Sequence, residues 1–194
     1  MITLDELKQY MQISDSSQDA FLQTCADNAI STVNDFCGRD FRAASYTEYI
    51  SGKSTPIIKI NNFPLSSVSL LQFYDSSIYD YSNIITGAGD TIGNSARLLS
   101  ATGEIILLKG YLFPPGESNI KITYTGGYSS APADIKGVCL EIAAVYYKNS
   151  YAGKGGGRLG LLSQSAGSGE SITFDTNLTK KWQMILNAYR NINV

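Results

Sequence analysis

A chain of 194 residues with a hydrophobic fraction of 43% suits one domain, or a domain with an embellishment, built on a real core. With no histidine and three dispersed cysteines, it cannot build a Ser–His or Cys–His dyad, a histidine-based zinc site or a four-cysteine site. The net charge of −2 gives no global signal for nucleic acid. Charged residues make up only 16%, and together with 13 tyrosines this fits either a partner-covered surface or a tyrosine-rich β-protein.

Taken in order, Thr3 and Glu6 stand in a capping-box relation ahead of a short helix through about Met11, with Leu4, Leu7, Tyr10 and Met11 inward. Ser14 or Asp15 is expected to cap a longer helix. Its apolar positions are Phe21, Leu22, Cys25, Ala29, Ile30, Val33 and Phe36, and Gly38 stops it. From Ser45 the period changes to two. Strands are expected at 46–50, 56–60, 67–74, 78–85, 96–100, 104–110 and 119–125, with turn residues such as Asn61-Asn62 between them. Pro115-Gly116 suits a type II turn that would join the last two strands as a hairpin. So many short strands predict an antiparallel sandwich or open barrel.

The stretch Ile120 to Asn149 joins this β-rich part to a helix. Gly126-Gly127 break the strand, Pro132 opens the helix, and Ile135, Val138, Cys139, Ile142, Ala143 and Tyr146 form one apolar face. Residues 151–174 are rich in glycine and serine and read as a flexible arm, most plainly over 153–169. Leu159, Leu161 and Leu162 are candidate apolar anchors within it, and 171–174 could add a short strand. Asn177 or Thr179 starts a last helix with an apolar stripe of Trp182, Ile185, Leu186 and Tyr189, and with Arg190 in its last turn. The expected class is α+β: an N-terminal helical pair, an inserted antiparallel β region, a core helix and a C-terminal helix. Residues 1–44 and 127–194 form the helical core, and 45–126 the β region.

Little of this sequence carries chemistry. GKGGGRLG (153–160) lacks the strand before and the helix start after that a phosphate loop needs, and its lysine precedes the glycines. Asp75 and Asp80 are expected to flank a hairpin turn and do not make a compact acidic motif. The cysteines read as small buried hydrophobes. No apolar run suits a membrane span, and the start has no basic n-region or apolar core. No enzyme, metal or cofactor is expected. Charge is uneven: residues 1–50 carry eight acids against three bases, and 145–194 two acids against six bases. These ends could pair within one fold or between neighbouring subunits, with Lys180 and Lys181 on the basic side.

Four stretches in this order resemble the head–tail connector (adaptor) proteins of tailed bacteriophages: LDELKQYMQIS with the helix ending FCGRDF (36–41), FPLSSVSLLQFY (63–74), ITYTGGYSSAPADIKGVCLEIAAVYY (122–147), and a Gly/Ser-rich segment before a helix ending LNAYR (186–190). The β region is larger than in the smallest members and resembles the longer variant. The resemblance implies a virion structural protein of the neck, assembled in the host cytoplasm as a ring, typically of twelve copies, under the portal protein. Such a ring extends the channel through which DNA passes without sequence-specific binding, and it docks the next neck or tail protein. It also implies that the terminal segment contacts the portal, which nominates Trp182, Tyr189 and Arg190. The alternative from another class is a β-sandwich carbohydrate- or protein-binding module of a virion or cell surface, with tyrosines lining a groove.

Overall fold

The computed structural model describes residues 1–74, 80–81, 87–88, 91–92, 96–150, 163–165, 171–173 and 177–191. In chain order the elements begin with helices α1 (Leu4–Met11) and α2 (Asp19–Cys37). Strands β1 (Ala44–Gly52), β2 (Ile57–Lys59), β3 (Leu65–Tyr74), β4 (Asp80–Tyr81), β5 (Gly87–Ala88), β6 (Thr91–Ile92), β7 (Ala96–Leu99), β8 (Glu104–Leu107) and β9 (Gly116–Gly126) follow. The chain continues through α3 (Ala133–Lys148), β10 (Ser163–Ser165), β11 (Ser171–Thr173) and α4 (Asn177–Asn187). These elements form two compact units. One holds Met1–Gly38 with the described residues from Ala131 on, and the other holds Arg39–Ser130.

The helical unit is built as its sequence pattern requires. In α1 the Thr3 hydroxyl accepts from the Glu6 N–H at 3.2 Å while the Glu6 carboxylate accepts from the Thr3 N–H at 2.8 Å, so two orphan helix donors are satisfied reciprocally. Leu7 is fully buried, but Tyr10 is 51% exposed rather than inward. Eight residues are little more than two turns, too short a stripe to bury every apolar side chain at helical spacing. No side chain caps α2. Asp15 instead accepts from the Ser17 N–H at 3.0 Å in a local turn, so it is used before the helix begins at Asp19. Gly38 closes α2 at φ 65°. Leu22, Ala29 and Val33 of α2 and Ile135, Val138 and Ile142 of α3 are buried in this unit. Ion pairs of 2.7 Å join Lys8 to Asp19 and Lys136 to Glu6.

None of the three cysteines is in a disulfide, and all are buried in the same unit. Burial raises the Cys25 thiol and pushes Cys139 up to about 12, so neither forms thiolate near neutral pH. A thiol reagent at pH 8 is therefore expected to label the native protein very slowly and to titrate three thiols in denaturant. Rapid labelling of the native chain would contradict this packing.

The β unit contains two antiparallel sheets. One runs β1-β9-β3-β4, with β5 also on β3, and the other runs β2-β8-β7-β6. Residues of both sheets meet in one apolar cluster that includes Leu71, Phe73, Leu98, Ile105, Phe113, Ile120, Ile122 and Tyr124. The expected hairpin at Pro115-Gly116 does not form: β8 and β9 belong to different sheets. Gly116 already pairs with Gly52 as the first residue of β9, and the Asn119 side chain closes the connection. It accepts from the Gly52 N–H and donates to the Pro114 carbonyl, each at 2.9 Å. On β1, Glu48 points inward, where it accepts from the Tyr124 hydroxyl and from the Asn61 N–H. Burial raises its carboxyl above the usual range despite those bonds.

Candidate functional site

Within the β unit, parts of three of the stretches that carried the resemblance converge on one residue. Arg39 follows the glycine stop of α2 and is only 5% exposed. Its guanidinium lies 3.5 Å from the Phe63 ring centroid, 4.9 Å from Phe41 and 5.8 Å from Tyr128. Phe41 and Tyr128 stack, and Tyr128 exchanges backbone bonds with both sides of Arg42 through Phe41 and Ala43. FCGRDF, FPLSS and YTGGY, far apart in sequence, thus form one aromatic cage around a buried cation. Gly126 and Gly127 are required here. A Cβ at Gly126 would lie 2.0 Å from the Asn62 carbonyl oxygen, and Gly127 takes φ +93° with the Arg42 carbonyl oxygen 2.2 Å from where its Cβ would be. Arg39 is the residue that sequence reasoning missed. A basic residue after a helix stop reads as a surface charge, and only the distant aromatics show otherwise.

In the helical unit, α4 is held by polar contacts from the residues nominated as partner anchors. The Trp182 indole N–H donates to Glu141 of α3 at 2.6 Å, and the Lys181 ammonium donates to the other oxygen of that carboxylate at 2.7 Å. The Tyr189 hydroxyl donates to Asp134 at 2.8 Å. The Arg190 guanidinium lies 5.8 Å from the Phe36 ring centroid. The Asn191 N–H donates to the Cys37 carbonyl at 2.8 Å, which ties the residues just after α4 to the end of α2. Lys181, Trp182, Tyr189 and Arg190 are therefore engaged inside their own unit, whereas Lys180 is exposed. A charge reversal at Lys181 would set a carboxylate against Glu141 and act first on helix docking. Leu159, Leu161 and Leu162 lie outside the described residues.

Glu141 allows a test of this docking. Burial pushes its carboxyl up, but the hydrogen bonds from Lys181 and Trp182 outweigh that and hold it below the ordinary glutamate range. A depressed folded value stabilises the fold above the unfolded value, and that stabilisation is lost as pH falls through the folded one. Because Trp182 is the only tryptophan, its emission reports α4 alone. Emission is expected to shift red as pH falls below the usual glutamate range. Glu141→Ala should produce the same shift at neutral pH, with a docking loss of about 1–2 kcal/mol. An unshifted spectrum in the variant would show that the carboxylate does not hold the helix.

The free surface shows what α4 leaves for others. Met184 is 78% exposed on α4, and Tyr49, Tyr111 and Leu112 are exposed on the β unit, each more than half. Among the described residues no group of three His, Cys, Asp or Glu side chains could hold a metal, and no helix is long and apolar enough to cross a membrane.

A family model described as head completion protein matches residues 1–192. The chain is similar in fold to a chain in the neck of an empty gene transfer agent particle computed with C6 symmetry. Identity there is 14% and the TM-score 0.65, covering 100% of this chain and 91% of that one. A chain in the virion of the native particle matches with 15% identity and a TM-score of 0.61, over 100% and 91%. A third, from the neck of the native particle computed with C12 symmetry, matches with 16% identity and a TM-score of 0.58, over 98% and 89%. No curated protein matches in sequence.

Proposed function

The chain belongs to the head completion protein family, and on that premise we propose that it works as a head–tail connector: a structural ring in the virion neck, seated on the portal protein, that continues the DNA channel and receives the next neck or tail component. The observation that carries this reading is the family match across both units, from residue 1 to 192. The structural neighbours support a ring, because two of them come from necks computed with C6 and C12 symmetry. A ring of identical subunits closes through heterologous contacts, one patch meeting a different patch of the next copy.

The role needs no catalytic residue, and we infer that the protein is not an enzyme. A net charge of −2 suits a channel past which DNA slides, since phosphate binding would require clustered basic residues. The carbohydrate-binding β-sandwich is not favoured, because the helices belong to the same match as the sheets. Light scattering of the purified chain, alone at high concentration and with its portal, tests the reading. The expected result is a ring-sized particle, or a portal complex whose mass grows by a fixed number of copies. A monomer under both conditions, with a portal shown to be intact, would overturn it.

A further inference from the structure

We propose that neighbouring subunits are joined by strand addition, with the β10–β11 hairpin of one copy pairing along the free edge of β1 in the next; this rests on the ring reading above. Strand β1 ends its sheet: one side pairs with β9 over Ala44 to Gly52, and no described strand pairs with the other. An open edge of nine residues presents unpaired N–H and C=O groups, and proteins usually blunt such edges with outward charge, proline or short length. Here ASYTEYISG has neither lysine nor proline, and its one charge, Glu48, is turned inward to Tyr124 and Asn61. Its tyrosines, threonine and isoleucine favour strands. An edge of this kind left bare would invite aggregation, so its composition points to a strand that covers it.

The same chain carries a suitable donor. Among the described residues, strands β10 and β11 pair with each other and with no other strand, with Ser163 opposite Thr173 and Ser165 opposite Ser171. A two-stranded hairpin is marginal in water and gains stability from a third strand. The paired residues SQS and SIT bear no charge, so joining them to a nearly uncharged edge sets no like charges together. Among its described residues each subunit offers one such donor and one such acceptor. Head-to-tail use around a closed ring occupies every β1 edge, whereas pairing of the hairpin with the portal would leave every β1 edge open.

The test uses the full chain, whose native thiols are buried. Thr47→Cys, on the outer face of β1, is combined in turn with Ser165→Cys, Gln164→Cys, Ser171→Cys and Ile172→Cys, so that both strands and both faces of the hairpin are sampled. Rings are formed with portal and then oxidised. At least one combination is expected to give a ladder of covalent multimers of this chain. Ile172→Pro, which removes a backbone donor from the hairpin, should raise the concentration needed for assembly at least tenfold without lowering the melting temperature. Rings that form normally in Ile172→Pro and give no ladder in any combination would overturn strand addition and leave the ring reading standing. Cross-links to the portal alone would also overturn it. Absence of rings in the unsubstituted protein would overturn the ring reading and the inference together.

Discussion

Gly126→Ala is expected to destabilise the β unit by about 3 kcal/mol, seen as a fall in the urea midpoint at unchanged slope. The new Cβ would lie 2.0 Å from the Asn62 carbonyl oxygen and 2.8 Å from a ring carbon of Tyr124. The first neighbour is backbone, so no rotamer change relieves the overlap. The strand end or the Asn61-Asn62 connection must move, and with it Tyr124, which accepts from the Asn62 N–H at 3.1 Å. Gly137→Ala supplies the contrast. It sits inside α3, and a Cβ there meets nothing within 4 Å. Restricting the unfolded chain at a helical position should raise stability by about 0.5–1 kcal/mol. Equal and small effects at both positions would show that the close approach at Gly126 does not exist.

Arg39→Ala is the second large effect, with an expected loss of about 3 kcal/mol in the same measurement. The guanidinium contributes about 2 kcal/mol through aromatic faces in a desolvated site, and its stem fills space among Phe41, Phe63 and Tyr128. Arg39→Lys should recover only part of this, because an ammonium cannot lie flat on the Phe63 ring. A surface arginine would lose almost nothing in either variant, so the order native, lysine, alanine is specific to the cage. Both losses are a large fraction of the 5–15 kcal/mol that holds a typical domain together.

These two positions show how far the sequence can be read. Local signals were sound: Thr3 and Glu6 form the capping box, Gly38 stops α2, and the face from Ile135 to Ala143 is buried. Each depends on residues within a turn or two of one another. What failed depends on distant partners. Pro115-Gly116 has the residues of a tight turn, but sheet membership is decided by Asn119 and Gly52, far apart in sequence. Gly126-Gly127 read as a turn, but the stronger reason for glycine is the backbone of 42 and 62 pressing on both positions.

The proposed contact residues divide in the same way. Spacing gave α4 its stripe, but spacing cannot tell an anchor for a partner from an anchor for α3. Glu141 and Asp134 take up Lys181, Trp182 and Tyr189, so those side chains position the helix, and the exposed residues Lys180 and Met184 are left on its surface. The free edge of β1 was invisible in the sequence, because an edge is defined by which strand is missing from one side.

The most direct measurement is electron microscopy of the purified protein mixed with its portal, with symmetry assigned from axial views. The proposed function predicts a closed ring of this chain, coaxial with the portal and continuing its channel. Well-formed portals with no added density, beside a protein that stays monomeric at every concentration tried, would contradict it.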